Sequence, residues 1–285
     1  MQVPFEVWRQ NYLPQHFISW CYGQLSHCHS PWFKNWAIKR FIRLYGINMS
    51  EAIEQDPTAY ACFHDFFIRH LKPELRPFDQ SALGISSPCD GVISQIGKIN
   101  NGTLVQAKNH TYSVRALLGN AIDAKPFENG HFTTIYLAPK DYHRVHMPYQ
   151  GTLDRMSYIP GDLFSVNPLT AEHVDNLFAR NERVVSLFQS EQGTFAMVLV
   201  GAMIVGSIAT RWAGHISSQG NKQTLNIQYP QTPEQHIVLD KGEEMGYFSL
   251  GSTVIMLFAE NLRWEKEYSQ DSRIVVGQRI GHFLP

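Results

Sequence analysis

The sequence predicts an α+β protein, with an N-terminal amphipathic helical region over residues 1–80 and a β-rich domain of mostly antiparallel strands over 81–285. Aromatic residues crowd the first part at helical spacing. A proline-punctuated polar stretch, Lys72-Pro73-Glu74-Leu75-Arg76-Pro77, then interrupts the chain, with a boundary near 72–84. Beyond Ile85 the texture changes to short β-rich runs broken by Gly, Pro and Asn.

Between Phe5 and Tyr45 the chain carries Trp8, Tyr12, Phe17, Trp20, Tyr22, Trp32, Phe33, Trp36 and Phe41, interleaved with Lys34, Lys39, Arg40 and Arg43. Within Trp32–Tyr45, the residues Phe33, Trp36, Ala37, Ile38, Phe41, Ile42 and Tyr45 fall largely on one helical face. Aromatic, apolar and basic residues together suit a helix lying in a membrane interface; a helix packed on its own domain with solvated cations fits the stretch equally well. A second helical pattern runs from Ala59 to Arg69. Strands are expected at Gly91–Gly97, Phe132–Leu137, Phe195–Val200 and Met203–Ile208. Helices are expected at Ser113–Leu118 and Ala171–Phe178. The polar stretch from Ser217 to Gln235 reads as a long turn or hairpin tip.

Composition narrows the class. The chain has 285 residues, 44% hydrophobic and 17% charged, enough for a substantial core. A formal net charge of −1 gives no polyelectrolyte signal, so nucleic acid is not expected as a partner. Cys21, Cys28, Cys62 and Cys89 form no CxxC pair and lack a histidine cluster at zinc spacing, so they read as reduced thiols of a cytoplasmic protein, and no metal is expected. No run of about 18 apolar residues predicts a transmembrane helix, and the N-terminus lacks the basic-then-apolar order of a signal peptide.

The most informative segment is Leu250-Gly251-Ser252-Thr253, just before the apolar run Val254–Phe258. Gly251 has no side chain to shield its carbonyl and tolerates unusual backbone angles. Attack of the Ser252 hydroxyl on that carbonyl would convert the amide to an ester. Elimination across Cα–Cβ of Ser252 would then cut the chain and leave a dehydroalanine that hydrolyses to a pyruvoyl group. Gly-Ser pairs are also common in loops, and a strand entered through a turn is the plain alternative.

Such a cleavage needs a base, and a histidine oriented by a carboxylate is the usual one. His143 and His146 stand three positions apart in Asp141-Tyr142-His143-Arg144-Val145-His146-Met147-Pro148. Asp90, in Ser87-Pro88-Cys89-Asp90-Gly91, is the carboxylate candidate. Taken singly, Asp90 also reads as a turn residue and either histidine as an ordinary loop residue.

Several segments in one order resemble the phosphatidylserine decarboxylases of the bacterial membrane-associated type, which are pyruvoyl-dependent proenzymes. They are Ser87–Ser94, Gln106–Ser113, Asp141–Pro148, Pro160-Gly161-Asp162-Leu163-Phe164-Ser165-Val166-Asn167, Leu177–Arg183, Val200–Ser207 and Leu250–Val254. Cys89 stands where a small residue such as Ala is expected, and Asn109 where Gly is expected.

The resemblance implies a carboxy-lyase in which Ser252 is both the cleavage nucleophile and the source of a covalent pyruvoyl cofactor. It implies that Asp90, His146 and Ser252 form a self-cleavage relay, and that His143 is the acid/base of decarboxylation. The lipid amine would form a Schiff base with the pyruvoyl ketone, which acts as the electron sink as CO2 leaves. Cleavage between Gly251 and Ser252 would give a large chain (1–251) and a small chain (252–285) that stay associated. Arg144, Arg180 and Arg183 are candidates for the lipid phosphate or carboxylate, Phe164 and Val166 for an acyl or headgroup slot, and Lys108 is a cation without a role. The partner implied is phosphatidylserine in a membrane. The place implied is the cytoplasmic face of the bacterial inner membrane, as a peripheral protein, with residues 1–80 docking; a homodimer is left open. Two alternatives remain: a serine hydrolase acting on a lipid ester, which lacks the G-x-S-x-G elbow, and a lipid-binding module that never matures.

Overall fold

The computed structural model describes residues 3–107, 110–203, 208–216, 223–232, 234–249, 252–259 and 261–285. The N-terminal part contains helices α1 (Phe5–Trp8), α2 (Gln15–Ser26), α3 (Pro31–Tyr45) and α4 (Phe63–Phe67). The sequence dictates the ends of α3: Pro31 occupies the first turn, where its missing N–H costs nothing, and Gly46 takes a left-handed φ of 64° just past the end. The expectation of helix throughout 1–80 is too broad. Residues 46–62 and 68–83 are loops carrying only short 3₁₀ turns at Met49–Glu51 and Pro73–Leu75, and the pattern over Ala59–Arg69 condenses to the five residues of α4.

The helices are amphipathic in an unusual sense. Helix α2 buries Ser19 and Ser26 while Phe17 and Trp20 are 62% and 60% exposed, beside exposed Tyr22 and Leu25. Helix α3 buries Ile38 and Lys34 and exposes Trp32, Trp36 and Leu44. Lys34 is therefore not a surface cation: its ammonium donates to the carbonyls of Thr58 and Tyr60 at 2.8 and 2.7 Å.

The β-rich part is built on a nine-stranded antiparallel sheet. Its strands are β1 (Gly91–Lys98), β2 (His131–Leu137), β3 (Gly151–Ile159), β4 (Arg183–Ser190), β5 (Gly193–Val200), β6 (Leu225–Gln228), β7 (Val238–Leu239), β8 (Ser252–Phe258) and β9 (Arg273–Ile274). Their order is β6-β3-β4-β5-β8-β2-β1-β9, with β7 also pairing β3. Strand β8 is fully buried along its length, as a continuous apolar run flanked on both sides should be. It pairs with β2 from Ser252↔Leu137 to Phe258↔His131, and with β5 from Thr253↔Val200 to Phe258↔Phe195.

Two smaller sheets frame the site. A four-stranded one orders 214–216, 208–210, 244–248 and 144–146. A three-stranded one orders 84–86, 279–283 and 262–264.

Two local expectations need correction. Ala171–Phe178 is not one helix but the junction of Pro168–Ala171, capped by the Asn167 side chain, and Leu177–Arg180, which starts at Asn176 with φ 54°. A non-glycine residue at positive φ interrupts the α-helix between them. The expected long turn at 217–235 contains β6, an exposed edge strand against Tyr158–Arg155 whose polar sequence hid it; residues 217–222 and 233 lie outside the described residues. The expected strand at Met203–Ile208 is described only at its ends, and Ile208 opens the strand Ile208–Thr210. The helix expected at Ser113–Leu118 forms over Val114–Leu118, with the Ser113 hydroxyl accepting from Ala116 N–H.

Ile255, fully buried at the centre of β8, supplies a test of this packing. Ile255→Ala is expected to lower unfolding free energy by about 2–5 kcal/mol, read by denaturant titration. A loss under about 1 kcal/mol would mean that β8 is not held in the sheet interior.

Candidate active site

Ser252 is the first residue of β8 and is completely buried. Among the described residues its Oγ has no hydrogen-bond partner. A buried hydroxyl without a partner is costly, by about 1–3 kcal/mol, and such groups mark strain or chemistry. Leu250 and Gly251 lie outside the described residues.

Opposite Ser252 stands Leu137, the last residue of β2, and the chain turns immediately afterwards. Asp141 pins that turn. Its carboxylate accepts from Ala138 N–H at 2.8 Å and from the Arg273 guanidinium at 2.7 Å, and its own N–H donates to the Ala138 carbonyl. The turn returns His143 to the carbonyls of Ala138 and Pro139, which lie near enough to favour a charged ring without completing a hydrogen bond. His143 is fully buried, and its ring stacks on Phe67 of α4 at 4.1 Å between centroids. Burial, with the positive charge of Arg69 as the next cause, drives its pKa down to about 3. His143 is therefore a neutral imidazole at physiological pH.

His146 ends the strand Arg144–His146, and its backbone N–H donates to Pro88, two residues before Asp90. Nδ1 lies 2.9 Å from the Gly242 carbonyl, which can only accept, so Nδ1 carries the proton and Nε2 the lone pair. The Tyr142 hydroxyl lies 3.3 Å from Nε2. Burial, ahead of the Gly242 contact that opposes it, lowers the His146 pKa below the ordinary histidine range. Burial also raises the Tyr142 hydroxyl, which stays protonated and can donate to Nε2.

Asp90 is buried at the entrance of β1. Its Oδ2 receives Arg76 Nη2 at 2.7 Å and its Oδ1 receives Arg76 Nε at 3.1 Å. The Val276 N–H adds a bond to Oδ1 at 2.8 Å, and Arg76 Nη2 also reaches Glu51 at 3.0 Å. The contacts expected of the relay are thus not the contacts made. Gly242, rather than Asp90, orients His146, and neither histidine is hydrogen-bonded to Ser252. The sequence offered no signal for Arg76, which meets Asp90 across a loop.

The residues singled out for lipid contact separate. Val166 lines a cavity of about 590 Å³ between α2, α3 and the β-rich part; Phe164 is core, with the Arg180 guanidinium over its ring at 4.8 Å. Arg144 is bound bidentate to Glu244 at 2.7 and 2.9 Å and donates to the Ile68 carbonyl. Arg180 pairs with Asp162, and buried Arg183 donates to the carbonyls of Leu117, Asn181 and Ala116. Lys108 and Asn109 lie outside the described residues.

The Arg76–Asp90 pair invites a double-mutant cycle. Arg76→Met leaves a buried carboxylate unpaired and is expected to cost about 3–5 kcal/mol of stability. Adding Asp90→Asn is expected to return part of that loss in denaturant unfolding. Strict additivity of the two changes would show that the pair contributes nothing.

The sequence model described as "Phosphatidylserine decarboxylase" matches residues 63–282, and a second, described as "PSD", matches residues 5–46. The chain is 53% identical over 257 residues to the phosphatidylserine decarboxylase proenzyme of Idiomarina loihiensis, covering 90% of this chain and 88% of that protein. It is 54% identical over 253 residues to the proenzyme of the same name from Shewanella putrefaciens, covering 88% of each. At this identity and coverage, the chain belongs to the phosphatidylserine decarboxylase family.

Proposed function

We propose that this protein decarboxylates phosphatidylserine to phosphatidylethanolamine, using a pyruvoyl group that it makes from Ser252 by autocatalytic serinolysis. Family membership supports the reaction. The buried, unpartnered Ser252 hydroxyl at the head of the central strand carries the assignment of the group's origin. The site fits such a group, since residue 252 is completely buried at the head of β8, where a ketone formed at its Cα would be held in the sheet away from bulk water. When formed, the group supplies an electron sink for the pair left by departing CO2.

The chain's own residues supply the proton transfers. For self-cleavage, His146 removes the Ser252 proton through Nε2, the unprotonated nitrogen, which exchanges the Tyr142 hydroxyl for that of Ser252. Asp90 and the groups clamping it fix the adjoining Pro88–Asp90 segment on which His146 rests. This role requires Nε2 to come within hydrogen-bonding reach of Ser252. In the mature site, His143, neutral and enclosed by Phe67, moves the proton at the carbon that lost CO2. A second reading exchanges the histidines, because His143 packs against the turn that follows Leu137, the register partner of Ser252.

Two features support a membrane-bound lipid as substrate. The exposed aromatic face of α2 and the exposed Trp32 and Trp36 of α3 suit an interface. The cavity walled by these helices also reaches Tyr136 and Pro139, either side of Leu137, the register partner of Ser252. It is large enough for part of an acyl chain. Among the described residues no helix is long and apolar enough to cross a membrane, so docking would be peripheral. We assign it to the cytoplasmic face of the bacterial inner membrane, with residues 1–80 as the docking part and the two chains held together by β8.

Denaturing gels of variants test the chemistry. Ser252→Ala is expected to remain one chain without activity. His146→Ala is expected to slow cleavage by about 10²–10⁴-fold, while His143→Ala cleaves but turns lipid over more slowly by a similar factor. An uncleaved His143→Ala beside a cleaved His146→Ala would reverse the two roles, and two fragments from Ser252→Ala would end the serinolysis reading.

Docking is tested by vesicle sedimentation. Phe17→Ser with Trp20→Ser removes two exposed rings. Each ring is worth about 1.5–3 kcal/mol when buried in an apolar phase, so binding to phosphatidylserine vesicles is expected to weaken by about tenfold or more. Unchanged sedimentation would return α2 to a purely structural role.

A further inference from the structure

Among the described residues, one buried cation has no counterpart. Arg69 follows α4, is 5% exposed, and has neither an ion pair nor a hydrogen bond at its Nε and Nη1. Its guanidinium rests 5.3 Å from the centroid of the Phe66 ring. The carboxylates whose charge it feels, Glu51 and Asp90, are both held by Arg76 at 3.0 and 2.7 Å. The hydroxyls it feels are engaged elsewhere: Tyr60 donates to the Glu54 carbonyl, and Tyr142 faces His146. Burial lowers the pKa of Arg69, yet a guanidinium does not give up its proton in a protein. Leaving such a charge buried and unpaired destabilises the fold, and a group of this kind calls for an explanation.

Its location suggests one. Phe67, two residues before Arg69, stacks on His143, and Arg69 exerts the strongest charge effect on that ring. Arg69 also lines a hollow of about 320 Å³ with Tyr60, Ile68, His70 and Arg144; the acidic side chains there are Glu54 and Asp65. Arg144 is already neutralised by Glu244. Arg69 is the cation of this hollow that no carboxylate among the described residues pairs with.

We propose that Arg69 is the anion-binding arm of a headgroup subsite and takes the phosphodiester of the lipid substrate; this rests on the proposed decarboxylase function. A serine phospholipid carries two anionic groups, and the choice between them follows from the chemistry. The carboxylate must leave as CO2, so a guanidinium paired to it would stabilise the ground state more than the transition state and slow the reaction. The phosphodiester keeps its charge throughout, and a guanidinium fork matches it.

The test uses the cleaved enzyme and its Arg69→Met and Arg69→Lys variants in mixed micelles. Chain cleavage is expected to be normal in both. For Arg69→Met, the KM for phosphatidylserine and the inhibition constant of phosphatidylethanolamine are both expected to rise by about 10- to 100-fold, with Arg69→Lys between it and the parent. Inhibition by neutral diacylglycerol, which lacks the phosphodiester, is expected to be unchanged. Without lipid, Arg69→Met is expected to melt at a higher temperature than the parent, because an unpaired buried charge has gone. Unchanged phosphatidylethanolamine inhibition with a raised KM for phosphatidylserine would place the carboxylate on Arg69 and overturn the phosphodiester assignment. Equal loss of diacylglycerol inhibition would make Arg69 a packing residue. A folded but uncleaved Arg69→Met would place it in maturation instead; either result ends the proposal. Protection of the parent by inorganic phosphate alone, with no effect of lipid, would mean a free-phosphate site. An inactive but cleaved parent would instead defeat the decarboxylase reading itself.

Discussion

The pairing of β8 between β2 and β5 is the constraint on which the rest depends. It fixes Ser252 at the head of a fully buried strand, opposite Leu137, from which the chain turns through Ala138–Asp141 towards His143. It also explains how a chain cut before Ser252 would keep its pieces together. Strand β8 has hydrogen-bonded neighbours on both sides and buries every one of its residues, so the fragment starting at 252 would remain in the core without a covalent link. A reactive group made at the first residue of such a strand would be held as rigidly as any side chain of the sheet.

Around that strand, charge and polarity are placed against the usual pattern. Helix α2 turns serines inward and aromatic rings outward, and α3 buries a lysine. Near the site, His143 is enclosed and neutral, while Asp90 is clamped by an arginine that also holds Glu51 in the N-terminal part. The Glu51–Arg76–Asp90 bridge ties the segment leaving the helices to the entrance of β1. The part we assign to docking and the part we assign to chemistry are therefore joined by an ion network as well as by packing.

Much of this was legible in the sequence, for identifiable reasons. Helix α3 was readable because apolar and aromatic residues recur at helical spacing over Trp32–Tyr45. Strands β1, β2, β5 and β8 were readable because buried strands are rich in β-branched and aromatic residues. The failures have equally local causes. A left-handed Asn176 split one expected helix. Strand β6 escaped notice because an exposed edge strand need not be apolar. The contacts of Asp90 and His146 were not readable at all, since Arg76 and the Gly242 carbonyl meet them through loops whose course no periodicity encodes. Sequence put Asp90, His143 and His146 forward on their chemistry, but it carried no sign of the groups that hold each of them.

The central claim is that Ser252 becomes the reactive group by breaking its own peptide bond, and intact-mass analysis of the purified protein tests it most directly. Two chains are expected, residues 1–251 and 252–285, the smaller one lighter by one ammonia than its sequence, as conversion of an N-terminal serine to a pyruvoyl group requires, and resistant to N-terminal sequencing. A single chain of full sequence mass in a preparation that decarboxylates phosphatidylserine would contradict it.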